Sequence, residues 1–149
     1  MTAITPKATN HAGLGPQDSR FVRVAELPWD KAMFEGIEFK TLVMDREQGL
    51  MTVLMRMAPG ARLPDHEHVL LEQTYVLEGR LVDRDGECGP GEFVYRPPGS
   101  RHEAWTPEGG LMLAIFQMPN KFYMQDGRVL DFVGGDWMEK WGAARPAFA

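Results

Sequence analysis

The stretch PDHEHVLLEQ at positions 64–73 holds two of the chain's four histidines, His66 and His68, with Glu72 four residues beyond the second. On an extended strand, residues two apart point to one face. His66 and His68 therefore present both imidazoles to the same side, and Glu67 points to the other. Glu72 reaches the same centre if the chain bends near 69–71 and re-enters a strand. Outside the first nineteen residues one further histidine exists, His102, in GEFVYRPPGSRHEAW. Imidazole nitrogens with one carboxylate suit a first-row divalent ion (Fe, Mn, Ni, Co, Cu or Zn) better than Mg or Ca, which prefer all-oxygen sites. Metal-binding imidazoles must be neutral, so the ion is expected to leave below about pH 6, near the reference histidine value. Two histidines on a strand also fit a solvated polar face, so the reading depends on elements that carry His102 to the same place.

Those elements read as short strands. From Phe21 onward the chain shows apolar runs, FVRVAEL, IEFKTLVM, LMTVLMRM, TYVLEG, RLVD, EFVY, LMLAIFQM and RVLDFV, separated by the turn signals DREQG, RDG, CGPG and QDG. This spacing predicts an all-β sandwich or barrel. One helix is expected, at 136–141, with Asp136 as cap, Glu139 three residues later, and Trp137 and Trp141 on one face. Residues 1–19 read as a flexible arm in which His11 is inert, and 20–149 as one domain whose core site spans 50–118. With 149 residues such a domain buries about 70% of its unfolded surface.

Composition narrows the partners. A net charge of −5 without a basic run lacks the footprint for nucleic acid. A single cysteine, Cys88, and a start without a secretory pattern point to the cytoplasm, and no apolar run reaches the ~20 residues that a membrane-crossing helix needs. The ten methionines read as core filling rather than a copper site.

Gly60, His66, His68, Glu72 and Gly79, followed by Gly91, Pro97, Gly99 and His102, resemble the two motifs of the cupin superfamily at these nine positions. Thr106 stands where the second motif usually closes with Asn. The resemblance implies a single-domain cupin β-barrel, a jelly roll with a short C-terminal helix, that binds one divalent transition metal through His66, His68, Glu72 and His102. Glu72 would be either a ligand or a catalytic group beside the metal. The segment after the second motif is similar to the small metal-dependent cupin dioxygenases that cleave β-diketones or dihydroxyacetophenones. That likeness implies Fe(II), with Mn, Ni, Zn, Co or Cu as alternatives, and oxidative carbon–carbon cleavage of a small organic substrate by a homodimer. A non-oxidative isomerase or lyase and a metal-binding sensor module are the other classes that such a barrel serves. Arg56, Tyr75, Tyr95, Arg96 and Trp105 lie on or beside the strands of the site and read equally as packing or surface residues. Glu67 and Glu103 should point away, and Cys88 reads as a structural thiol.

Overall fold

The computed structural model describes residues 3–141. The strands, in chain order, begin with β1 (Ala3–Ile4), β2 (Asp30–Lys31), β3 (Ile37–Asp45), β4 (Leu50–Met57), β5 (Arg62–His68), β6 (Glu72–Gly79) and β7 (Leu81–Asp83). They continue with β8 (Gly86–Cys88), β9 (Phe93–Arg96), β10 (Arg101–Trp105), β11 (Gly110–Gln117), β12 (Asn120–Tyr123) and β13 (Val129–Leu130), before the helix α1 (Trp137–Trp141). One sheet runs β1-β3-β4-β11-β6-β9 with β2 also on β3, and the other runs β13-β12-β5-β10-β7-β8. All pairings are antiparallel, and from β4 onward the chain passes repeatedly from one sheet to the other, which is the jelly-roll arrangement.

Two-residue alternation builds the core. Met51, Val53, Met55 and Met57 of β4 and Met112, Ala114 and Phe116 of β11 face inward, meeting Leu63, Ala104 and Phe122 from the other sheet. The turns use the chemistry read from the sequence. Asp45 Oδ1 accepts the N–H groups of Glu47 and Gln48, and Asp126 Oδ1 accepts that of Arg128. Gly79 is the tightest position: its φ is +73°, and a Cβ there would lie 2.0 Å from the Gly109 carbonyl oxygen. Thr106, fully buried, hydrogen-bonds Ala58 O through its hydroxyl and accepts the Gly60 and Gly109 N–H groups on its carbonyl. It thus fastens the turn in its own way where the cupin motif usually has Asn.

Two stretches fold differently from the expectation. Ala3 and Ile4 pair with Asp45 and Met44, and the Thr5 hydroxyl donates to Leu42 O at 2.6 Å, so the start of the supposed arm is fastened to the sheet. The run 21–27, read as a strand, forms only a 3-10 turn at Val24–Glu26 and leaves Phe21 80% exposed. On the outer edge of β3 the places are taken by β1, at Met44 and Asp45, and by β2, at Glu38 and Phe39. At the other end, Glu139 N–H donates to Asp136 Oδ1 at 3.0 Å, the expected cap, and Trp137 packs against the core beneath the Lys121 ammonium. The Trp141 side chain lies outside the described residues. Helix α1 sits beside β13, and no helix among the described residues is long and apolar enough to cross a membrane.

Candidate metal centre

β5 carries His66 and His68 on its inner face, and β10 runs antiparallel to it with His102 directly opposite His66. All three imidazoles are buried. Between them Glu67 turns outward to accept the Tyr123 hydroxyl at 2.7 Å, and Glu103 turns out to Arg62. The proline–glycine bend at 97–99 is clamped onto the backbone of His68: Gly99 N–H donates to His68 O at 2.7 Å, and His68 N–H donates to Ser100 O at 2.9 Å. This bend therefore sets where β10 begins, and so where His102 stands relative to His68.

Nitrogen atoms of the three rings lie within 4.8 Å of one another, and the Nε2 atoms of His68 and His102 are 3.0 Å apart. The opposite ring edges face acceptors. His66 Nδ1 meets Pro64 O at 2.7 Å and His102 Nδ1 meets Glu103 O at 3.1 Å, whereas His68 Nδ1 lies 3.3 Å from Glu72 Oε2 without a hydrogen bond. A neutral imidazole has one N–H, and the carbonyl acceptors at Nδ1 of His66 and His102 draw it there, which leaves their Nε2 lone pairs free for an ion. Burial, reinforced by the two neighbouring imidazoles, lowers the His66 pKa to about 3. Burial followed by the Arg96 charge lowers those of His68 and His102 to about 4. Three buried, neutral, convergent imidazoles fit one first-row metal ion. The proton competition expected near pH 6 sits lower, near 4, because burial disfavours the imidazolium.

Glu72 opens β6 in the other sheet, after the chain bends at 69–71 and re-enters a strand. Its Oε1 accepts the Thr74 hydroxyl at 3.1 Å and lies 3.9 Å from Arg96 Nε. Of the five accessory residues considered from sequence, Arg96 alone turns into the site. Its guanidinium donates to Asp83 Oδ2, and both side chains are at least nine-tenths buried. Burial would raise the Asp83 carboxyl, but the Arg96 hydrogen bond and the N–H groups of Asp85 and Gly86 override it and hold it below the usual range. Asp83 Oδ2 is also 3.5 Å from His102 Nδ1. Sequence reasoning missed Asp83, because it opens the RDG hairpin and a turn accounts for it fully.

The other candidates face elsewhere. Arg56 pairs with Glu38 and covers Trp29, Tyr75 and Tyr95 are exposed, Trp105 takes the Arg62 guanidinium, and His11 contacts Phe21 O. Cys88 is buried, and burial pushes its thiol up. The Phe122 ring stacks on His66 at 4.7 Å, with Phe34 behind it at 4.9 Å, giving the histidines an apolar wall. A cleft of about 970 Å³ near Trp29 and Phe34 touches none of the three histidines, whereas one of about 550 Å³ reaches His102, Asp83 and Arg96. The chemistry singles out the smaller.

Jelly roll and histidine trio together define a cupin able to hold one metal ion. A family model for the ChrR cupin-like domain matches residues 17–121, and the chain belongs to that family. A search of the curated proteins found no match. Among solved structures, a candidate acetylacetone dioxygenase of Methylibium petroleiphilum is 22% identical, with 87% of this chain and 99% of that one covered at a TM-score of 0.71. The acetylacetone dioxygenase of Acinetobacter johnsonii is 16% identical, with 89% and 95% covered and a TM-score of 0.67. Rhodobacter sphaeroides SigE in complex with the anti-sigma ChrR is 22% identical, with 64% and 51% covered and a TM-score of 0.55. At these identities the likeness establishes the fold.

Proposed function

We propose that the protein is a non-haem Fe(II) dioxygenase that cleaves a carbon–carbon bond of a small β-dicarbonyl or hydroxyketone. The observation that carries this reading is the convergence of three neutral imidazoles beside an apolar aromatic wall. His66, His68 and His102 would hold the ion, and three protein ligands leave positions for a chelating substrate and dioxygen. An iron ion there supplies Lewis-acid and redox chemistry. The smaller cleft, which reaches His102, would admit the substrate, and Phe122, stacked on His66, would keep water from the ion's other side. The substrate class is taken from the acetylacetone dioxygenases that share the fold over nearly their full length.

Oxygen uptake by the iron-loaded protein, measured against acetylacetone and a panel of hydroxyketones, tests it. Consumption in step with substrate loss is expected, with none for the redox-inert zinc form. Conversion of a carbonyl substrate by the zinc form, without oxygen uptake by the iron form, would replace the dioxygenase with an isomerase or lyase.

A second reading, a metal-binding sensor module, draws on the ChrR family match, and that domain occurs in an anti-sigma factor solved with its sigma partner. It becomes the better one if the loaded protein turns over nothing yet changes its binding to a sigma factor with metal. On either reading we place the chain in the cytoplasm as a homodimer. Pairing through the outer face of the first sheet is supported by the exposed Tyr75, Leu77, Phe93 and Tyr95.

A further inference from the structure

We infer that Arg96 selects the substrate by holding a carboxylate at the inner end of the cleft that reaches His102, so that the β-dicarbonyl or hydroxyketone taken up is an oxo-acid. The inference rests on the reading above for what the cleft serves, and it adds the charge of what enters.

Idle donors argue first. Arg96 lines the cleft, and its side chain is only 8% exposed. A guanidinium carries five N–H donors and keeps its proton throughout the accessible pH range. Among the described residues Arg96 makes one hydrogen bond, from Nη1 to Asp83 Oδ2. Its buried Nε has no partner, and Glu72 Oε1, 3.9 Å away, is too far to accept from it. Asp83 is engaged elsewhere as well, its Oδ1 accepting the N–H groups of Asp85 and Gly86. A buried guanidinium with most of its donors idle is destabilising, and a cleft retains one where a ligand comes to use it.

The surroundings choose the ligand. Leu81, Cys88 and Val94 line the same cleft and give it apolar walls on which a short carbon skeleton packs. Toward the mouth the charges answer one another: Arg101 grips Asp65, Arg80 holds Glu87, and Arg84 stands 3.9 Å from Asp85. Arg96 is thus the cation of the cleft with donors to spare at its buried end. The Asp83 and Glu72 carboxylates outweigh it there, and a divalent ion on neutral imidazoles reverses the balance, so an anion is drawn in once metal is bound. A carboxylate is the anion that matches the planar guanidinium fork, where two parallel N–H···O bonds can form.

Binding to the redox-inert zinc form, read without turnover, tests this. Isotope-labelled, zinc-loaded protein is titrated with 2,4-dioxopentanoate and, separately, with acetylacetone, which has a methyl group where the acid has its carboxylate; metal content is followed throughout. The Arg96 Nε–H resonance, assigned by its absence from Arg96→Lys, should shift with the acid and stay in place with acetylacetone. Wild type should bind the acid about tenfold more tightly than acetylacetone; Arg96→Gln should bring the ratio close to one, and Arg96→Lys should keep part of the preference. An Arg96 resonance unmoved at saturating acid, or an acid preference undiminished in Arg96→Gln, would overturn the inference and leave the pair with Asp83 a structural brace. If Arg96→Gln does not fold, the wild-type resonance decides. Oxygen uptake judges the dioxygenase separately: an iron form that consumes no oxygen, beside a zinc form that binds the acid through Arg96, refutes that reading and upholds this one.

Discussion

The metal-free protein should be unusually sensitive to mild acid, by an amount that follows from its three buried imidazoles. In the folded chain His66 takes a proton only at about pH 3, and His68 and His102 at about pH 4, against 6.5 for an unperturbed side chain. A lowered imidazole pKa means that the unfolded chain binds protons that the folded chain refuses. Above pH 6.5 the three contribute nothing. As pH falls from there toward 4 stability is lost, and the loss levels off only when the folded rings protonate too. At pH 5 the linkage amounts to about 2 kcal/mol per histidine and about 6 kcal/mol for the trio, on the order of a whole domain's stability. Asp65 and Asp83, held below the ordinary carboxylate range by Arg101 and Arg96 against the pull of burial, add their loss only at still lower pH. Urea melts of the metal-free protein at pH 7.5, 6 and 5 measure this directly. The midpoint should fall steeply, and saturating metal should restore it, since an occupied site cannot take protons. A metal-free midpoint that is the same at pH 7.5 and pH 5 would refute the picture of buried, neutral imidazoles.

Three further outcomes are expected. His66→Ala, His68→Ala and His102→Ala should each remove most bound metal while circular dichroism keeps its β signature at neutral pH; a His102→Ala protein with parental metal content would break the site as drawn. Gly79→Ala should destabilise by at least about 1–3 kcal/mol in urea melts, because φ is +73° and the new methyl meets the Gly109 carbonyl. Phe122→Ala should cost about 3–5 kcal/mol and, by stripping the wall beside His66, speed chelator removal of the metal; an unchanged chelation rate would show that this wall does not guard the ion.

What the sequence determined by itself is local and periodic. Alternation along 66–68 put both imidazoles on one side of a strand, the Asp and Gly signals placed the hairpins, and Asp136 announced the cap of α1. The resemblance of the two glycine-bounded segments to the cupin motifs implied that His102 would stand beside His66 and His68. Other matters waited on the tertiary structure. Ala3 and Ile4 look like a tail until β3 offers them an edge, which they share with β2, while the strand-like run at 21–27 forms only a 3-10 turn. Edge availability belongs to the assembled sheet, and no window of sequence contains it. The same holds for charge. Arg96, Asp83 and Glu72 carry the composition of surface residues, and Asp83 is explained completely by its turn. Only the closing of the two sheets, which brings β9 of one beside β7 of the other, buries the arginine between two carboxylates and sets both against the histidines. A buried charge is tolerated where its partners come to meet it, and those partners come from strands that only the fold makes neighbours.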